Sequence, residues 1–315
     1  MSHSRAASII VPSRGGAQRL PVLLNALSRQ NTTDFEVITV LDGDVDDSEG
    51  LLRRAYKTTP FRLRWIVFPE NRGRSAALNA GFANAGGHVL IRSDDDLEPG
   101  PDFVAGHIER HHAARNGIVG LTMNRFPSTA YARVYGNKAD ALHRAEALAA
   151  PPHTHWRHWS ANVSVTRDMH EQVGGYDERY RAYGWEDVDY GYRLHLAGIP
   201  VVIAPELMAV HHVASTTTAI RAARALHSGA ARDTFLRIHG RDALPEQACN
   251  SGIWGRMVWA ASILTTEKSI RAWSGVVDRA AEALPPPVAE KLIALAVESA
   301  GLAGVRYPER AKSRF

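Results

Sequence analysis

Three consecutive carboxylates, Asp94-Asp95-Asp96, stand directly after the apolar run His88 to Ser93. Adjacent carboxylates repel one another and are hard to keep ionised together without a cation. Asp94 and Asp96 flank a single residue, so both can reach one ion. Oxygen ligands of this kind suit a hard divalent cation, Mg²⁺ or Mn²⁺, which completes its shell with water and substrate phosphates. A solvated acidic turn leading into a helix near Pro101 is the plainer reading of the same residues.

A second acidic cluster, Gly184-Trp185-Glu186-Asp187-Val188-Asp189, opens a helical pattern that runs to Ala197. Helix-dipole stabilisation accounts for acids in a first turn. Three acids beside a Gly-Trp pair exceed that need. An ionised Asp there can take a proton from an attacking hydroxyl, and a Trp can lie against a sugar face. His211 and His212 end a short strand, where alternation allows only one of them to face a given crevice. Imidazole makes either a candidate metal ligand, and a surface or core histidine is the alternative. The segment His153 to Trp159 (HTHWRHW) has neither helical spacing nor a carboxylate. It is expected to be a loop that closes over substrate.

These residues need elements to place them. Ser8 to Pro12, Phe35 to Leu41, Leu63 to Phe68 and His88 to Ser93 read as strands, with helical spacing between them. That order implies an α/β fold with a mostly parallel central sheet flanked by helices. Each strand is followed by an unusual polar loop: Pro12-Ser13-Arg14-Gly15, Asp42-Gly43-Asp44, Glu70 to Arg74, and the triple Asp. Ligands of open parallel sheets bind outside the carboxyl ends of the strands. Four such loops therefore point at one crevice. Asp42 can bond a base or ribose, or simply make an Asx-turn. Asn71, Gly73 and Arg74 open a helix, where backbone N–H groups and Arg forks favour phosphate. Residues 126–159 are irregular, Ala161 to Thr166 is ordered, and helical patterns dominate from Thr216 to Leu302. The domains are expected at 1–213 and 214–315.

The composition narrows the class. The chain has 315 residues, 45% apolar and 22% charged, which excludes collagen, low-complexity disorder and a disulfide scaffold. The single Cys249 forms no internal bridge and supplies no zinc cluster. The opening MSHSRAASIIVPS is too short an apolar run for a signal peptide, and no run approaches a membrane helix. A cytoplasmic protein is the expectation, with at most peripheral contact at the inner membrane face. Residues 214–315 carry 14 basic and 9 acidic side chains, a surplus of five. No zinc-finger spacing or aromatic RNA-binding signature accompanies it, so no nucleic-acid partner is expected. The tail is expected to pack on the first domain or to mediate a homodimer. Its basic end (Arg306, Arg310, Lys312, Arg314) permits a membrane surface.

The order of motifs over about residues 6–213 resembles the family 2 glycosyltransferases of the GT-A fold. SIIVPSRGG is similar to that family's entry strand. NRGRSAALNAG matches its N-x-G helix at Asn71, Gly73, Asn79 and Gly81, and Asp94 and Asp96 match its D-x-D motif. GWEDVDYGYRLHLAG is similar to its acceptor-side helix. The resemblance implies a GT-A domain with a helical C-terminal extension. It implies inverting transfer of a sugar from a nucleoside diphosphate sugar, a UDP-sugar for preference, to a hydroxyl acceptor. That acceptor would be a polysaccharide, a lipid-linked glycan or a small natural product. Asp187 would be the general base, with Glu186, Trp185 and Trp159 on the acceptor side. Pro12, Ser13, Arg14, Asp42, Asn71, Gly73, Arg74, Asp94 and Asp95 would bind the donor. Asp94, Asp96, His211 and His212 are the candidate ligands for Mn²⁺ or Mg²⁺. The loop DGDVDDS departs from the commoner Asp-Asp-Gly-Ser and makes Asp44 a second candidate for the base contact. A nucleotidylyltransferase would need a Gly-rich loop and an early phosphate-facing Lys, whereas the first Lys is Lys57. A non-catalytic nucleotide-sugar or carbohydrate-binding module is the other alternative.

Overall fold

The computed structural model describes residues 5–180, 184–212, 215–245 and 252–312. The expected junction at 213/214, Cys249 and Arg314 lie outside the described residues. Contacts divide the chain into two units. The first comprises residues 1–124, 143–179 and 186–212, and the second 125–142, 180–185 and 213–315.

The first unit alternates strand and helix as the apolar runs dictate. It begins β1 (Ala7–Ser13), α1 (Leu20–Leu27), β2 (Phe35–Leu41), α2 (Ser48–Ala55), β3 (Arg62–Val67), α3 (Arg74–Asn84) and β4 (Val89–Ser93). It continues through β5 (Leu97–Glu98), α4 (Phe103–Ala113), β6 (Gly117–Val119) and β7 (Thr122–Asn124). Helix α5 (Asn137–Ala149) starts in the second unit and ends in the first. Then come β8 (Asn162–Thr166), α6 (Arg167–Val173), α7 (Trp185–Leu196), β9 (Val201–Ile203) and β10 (Ala209–His211). A seven-stranded sheet has the order β3-β2-β1-β4-β8-β6-β9, and a three-stranded sheet the order β5-β10-β7. Strands β1 to β4 pair in parallel, so their carboxyl ends share one edge. β8 runs antiparallel between β4 and β6 and sets Asn162 opposite Ser93. Every residue of β1, β2 and β4 is buried, as continuous apolar strands covered on both faces require. Their core includes Ile9, Val11, Leu23, Leu27, Val37, Leu41 and Ile91.

Beneath the end of β4 lies a buried polar chain. His111 Nε2 donates to Ser164 Oγ (2.8 Å), and Ser164 donates to His107 Nδ1 (2.8 Å). His107 Nε2 donates to Asn162 Oδ1 (3.1 Å), and Asn162 Nδ2 donates to the Leu207 carbonyl (2.8 Å). These directions satisfy each bonded group with both imidazoles neutral. Helix α7 sits close to the turn Pro152–His158 because residue 191 is glycine. A Cβ there would lie 2.2 Å from the Trp156 carbonyl oxygen.

The second unit is helical: α8 (Thr218–His239), α9 (Ile253–Leu264), α10 (Glu267–Ala283) and α11 (Pro286–Arg306). Thr266 and Ser269 form a reciprocal capping box at the start of α10. Tyr131, Val277, Ile293 and Val297 share one cluster, and Leu226, Ile270 and Ala300 another. Gly304 lets α11 approach α8, since a Cβ there would meet the Leu226 carbonyl. Much of the basic end is used internally. Arg310 Nη1 donates to the carbonyls of Ser262, Ile263 and Thr265, and the Arg306 guanidinium lies 5.1 Å from the Trp259 ring. No helix of the described residues is long and apolar enough to cross a membrane.

The neutral histidines make folding acid-sensitive. Desolvation pushes His107 down to about 3 and His111 down to about 4. The unfolded chain takes up these protons near the ordinary value of 6.5, so the stabilisation is complete above that pH and is lost as pH falls toward 3. Between pH 7 and 5 His107 alone accounts for about 2 kcal/mol. Urea unfolding should show that decline, and it should be shallower in His107→Gln. A flat stability between these pH values would contradict the burial of neutral imidazoles.

Candidate active site

The carboxyl edge of β1, β2 and β4 is held together by carboxylates, each with a different task. Asp42, at the end of β2, accepts the backbone N–H groups of Arg72 (2.6 Å) and Gly73 (2.9 Å). It thereby shapes the loop that opens α3, where Gly73 has φ +95°. Arg14 donates to the Asp42 carbonyl (2.6 Å) and crosses from the β1 loop. Asn71 is half-buried in the same loop, and Pro12 is buried inside β1. Asp44 is exposed and accepts the N–H groups of Ser48 and Glu49 at the start of α2.

The three consecutive aspartates part company. Asp95 is buried. Arg19 grips it with two bonds, Nε to Oδ1 (2.9 Å) and Nη2 to Oδ2 (2.8 Å), and Ser13 donates to Oδ2. Its placement is that of a latch between β1 and β4 rather than of a donor ligand, and Ser13 is drawn into that latch. Asp94 Oδ1 accepts from Arg92 Nη2 (3.1 Å). Burial raises the Asp94 carboxyl, but the charges of Arg92 and Arg74 outweigh it and hold the group below its ordinary range. Asp96 Oδ2 lies 3.0 Å from His211 Nε2, while its buried Oδ1 has no hydrogen-bond partner.

His211 Nδ1 is 2.6 Å from Asn124 Oδ1. A proton on Nδ1 leaves the Nε2 lone pair aimed at Asp96, an arrangement that a shared cation satisfies. His212 takes the other face of β10 and meets Glu98 Oε2 at 2.7 Å, away from Asp96. Among the described residues no three His, Cys, Asp or Glu side chains form a ready cluster for a metal. Asp96 and His211 nevertheless fit a hard divalent ion that takes its remaining ligands from phosphates and water.

The first turn of α7 brings Glu186, Asp187 and Asp189, all buried. Asp189 is bonded to Arg193 (2.8 Å) one turn on and serves the helix. Glu186 lies 3.5 Å from Arg74 of α3. Asp187 is ion-paired with Arg92 Nη1. Arg92 is 1% exposed and so stands between Asp94 and Asp187, with the Tyr176 ring centroid 5.7 Å from its guanidinium. Asn79, in the N-x-G helix, clamps the Tyr176 backbone through Oδ1 (2.7 Å) and Nδ2 (2.9 Å).

Arg92 and Arg19 were not among the residues selected from the sequence. Arg92 leaves one signal: it is the only charged residue in HVLIRS and shares the strand face of Asp94 by the two-residue period. Arg19 is 76 residues from its partner and leaves none.

The two tryptophans fall elsewhere. Trp159 is only 2% exposed, stacks on Tyr190 at 5.5 Å and donates to the Tyr176 hydroxyl. Trp156 is buried as well. The expected closing loop is thus a turn that contributes both indoles to the core, because they are the largest apolar groups available to cover α7. Trp185 packs on Phe235 at 5.1 Å and donates to Ser228 Oγ (3.1 Å), both in the second unit.

The model of the family described as Glycosyl transferase family 2 matches residues 8–183. A validoxylamine A glucosyltransferase of Streptomyces hygroscopicus subsp. jinggangensis is 27% identical over 65% of this chain and 55% of its own length. A Bacillus subtilis glycosyltransferase, YfnE, is 27% identical over 65% of this chain and 64% of its own. An undecaprenyl-phosphate 4-deoxy-4-formamido-L-arabinose transferase of Pseudomonas syringae pv. syringae is 36% identical over 58% of this chain and 48% of its own. The matches thus span roughly half to two-thirds of these relatives. In fold, the chain resembles the mannosyltransferase PcManGT of Pyrobaculum calidifontis, solved with GDP-Man and Mn²⁺. The TM-score is 0.62, at 16% identity over 98% of this chain and 89% of that one. The UDP complex of S. aureus TarS follows the same fold, with a TM-score of 0.53 at 15% identity over 96% and 91%.

The different tasks of the aspartates predict different costs. Asp95→Asn leaves Arg19 without its ionised partner and should lower unfolding stability by about 3 kcal/mol. Asp96→Asn removes a carboxylate that already has an unpartnered oxygen and should cost under about 1 kcal/mol. Equal losses in urea unfolding would refute this division.

Proposed function

The chain belongs to glycosyl transferase family 2, and from that premise we propose that it moves a sugar from a nucleoside diphosphate sugar to an acceptor hydroxyl, with metal dependence and inversion at the anomeric carbon. The observation that carries the proposal is the gathering of Asp94, Asp187 and Glu186 around Arg92 and Arg74 at the carboxyl end of β4. Donor binding is assigned to the loops after β1, β2 and β3, with Arg14, Asn71, Gly73 and Arg74 lining it. A UDP-sugar is the proposed donor class. S. aureus TarS, of the same fold, has been solved with UDP, and the Pyrobaculum calidifontis mannosyltransferase with GDP-Man.

Asp96 and His211 would hold Mn²⁺ or Mg²⁺. The ion supplies positive charge against the charge that develops on the departing diphosphate. Asp187 takes the proton of the acceptor hydroxyl as that oxygen bonds to the anomeric carbon. The bond from that carbon to the phosphate oxygen breaks, and the nucleoside diphosphate leaves from the opposite face. Glu186, held by Arg74, orients the acceptor beside the base. The acceptor is a hydroxyl of a polysaccharide, a lipid-linked glycan or a small natural product.

Asp187→Asn keeps the shape of the side chain and removes its basicity. Transfer should fall at least about 100-fold, with donor affinity within a few-fold of the wild type. The product's anomeric configuration by NMR should be opposite to the donor's. Undiminished transfer by Asp187→Asn, or a retained configuration, would overturn the mechanism. Donor binding without transfer by the wild type to any hydroxyl acceptor would favour the binding-module reading instead.

A further inference from the structure

Arg92 is a fully buried charged side chain of the site, and the proton transfer described above gives it no part. It lies in β4, whose other residues are Val89, Leu90, Ile91 and Ser93. A guanidinium in such a setting is costly unless its charge is matched. It is matched twice. Nη2 donates to Asp94 Oδ1 at 3.1 Å, and Nη1 pairs with Asp187 Oδ1. Nε has no hydrogen-bond partner, the Nη1 contact with Asp187 is an ion pair and not a hydrogen bond, and the Tyr176 ring lies 5.7 Å away. The side chain is therefore oriented by these two carboxylates and by little else.

The converse matters more. Asp187 is 6% exposed and Glu186 is the adjacent residue. The pair with Arg92 fixes the carboxylate's position in the first turn of α7. The same guanidinium reaches the first aspartate after β4. Two carboxylates that belong to different strand and helix ends, 93 residues apart in sequence, thus share one rigid planar fork. Buried ion pairs add little stability compared with well-packed apolar groups. Geometry is what this one supplies.

We propose that Arg92 is a positioning residue for the transfer reaction: it aims the Asp187 carboxylate at the acceptor and ties it to the donor-side Asp94. Arg92 touches neither reacting atom and acts through Asp187. The inference rests on the assignment of Asp187 as the base, and its test separates the two.

The test is a double-mutant cycle on the full chain. Arg92→Gln, Arg92→Lys, Asp187→Asn and the Arg92→Gln/Asp187→Asn pair are assayed for kcat, acceptor KM and melting temperature. Arg92→Gln should lower kcat about 100-fold with acceptor KM within threefold, and Arg92→Lys should recover about tenfold of that loss. In the Asp187→Asn background, Arg92→Gln should cost less than threefold more, because the residue it positions no longer works. Wild-type kcat in Arg92→Gln would overturn the inference. So would a full further 100-fold loss in the Asp187→Asn background, the mark of general damage to the fold. Should Arg92→Gln not fold, Arg92→Lys carries the same cycle, and an effect as large with Asp187→Asn as without it would overturn the inference. If Asp187→Asn alone transfers at the wild-type rate, the base assignment falls and the inference falls with it. If Asp187→Asn is inactive while Arg92→Gln is fully active, only the role of Arg92 falls.

Discussion

The site depends on setting several buried carboxylates against matching guanidinium groups. Asp94, Asp95, Asp187 and Glu186 crowd the carboxyl end of one strand, where like charges so close repel one another. Three arginines offset that repulsion. Arg19 matches Asp95, Arg92 matches Asp94 and Asp187, and Arg74 faces Glu186. Guanidinium suits this work because it stays charged and presents donors in a fixed plane. The balance also explains why neighbours in the sequence do different jobs. Asp95 spends both oxygens on Arg19 and Ser13, whereas Asp96 meets His211 through Oδ2 and has no hydrogen-bond partner at Oδ1.

The fold delivers these groups through elementary geometry. Parallel pairing puts the ends of β1, β2, β3 and β4 on one edge, so loops far apart in sequence meet there. Antiparallel β8 brings Asn162 beside Ser93, and Asn162 is in turn bonded to the neutral His107. The alternation of β10 sends His211 to Asp96 and His212 to Glu98. Glycine at 191 sets the depth of α7 and therefore of the carboxylates in its first turn.

Much of this was legible from residue types and spacing. The apolar runs of β1 to β4 with a polar loop after each gave the sheet and the edge on which those loops meet. The motif order gave the family. The one-residue gap between Asp94 and Asp96 marked those two as a pair, but the grip of Arg19 on Asp95 was not visible in it. What escaped was long-range pairing. Arg19 finds Asp95 only after the chain has folded across 76 residues, and nothing local marks it. Burial of Trp159 was equally hidden, because an indole among histidines reads as an exposed binding loop until α7 is seen to need covering. Arg92 lay between these cases. Its charge inside an apolar strand was visible, but its two partners were not.

The most direct test of the account is a thermal-shift panel of UDP-, GDP- and dTDP-sugars, with and without Mn²⁺, on the wild type and on Asp96→Ala. A donor at about 100 times its Kd adds about 2.7 kcal/mol of stability. The account predicts a shift of that order for one nucleotide series, dependent on Mn²⁺ and lost in Asp96→Ala. No shift with any nucleotide sugar, or one that Asp96→Ala retains in full, would contradict a metal-assisted donor site at the end of β4.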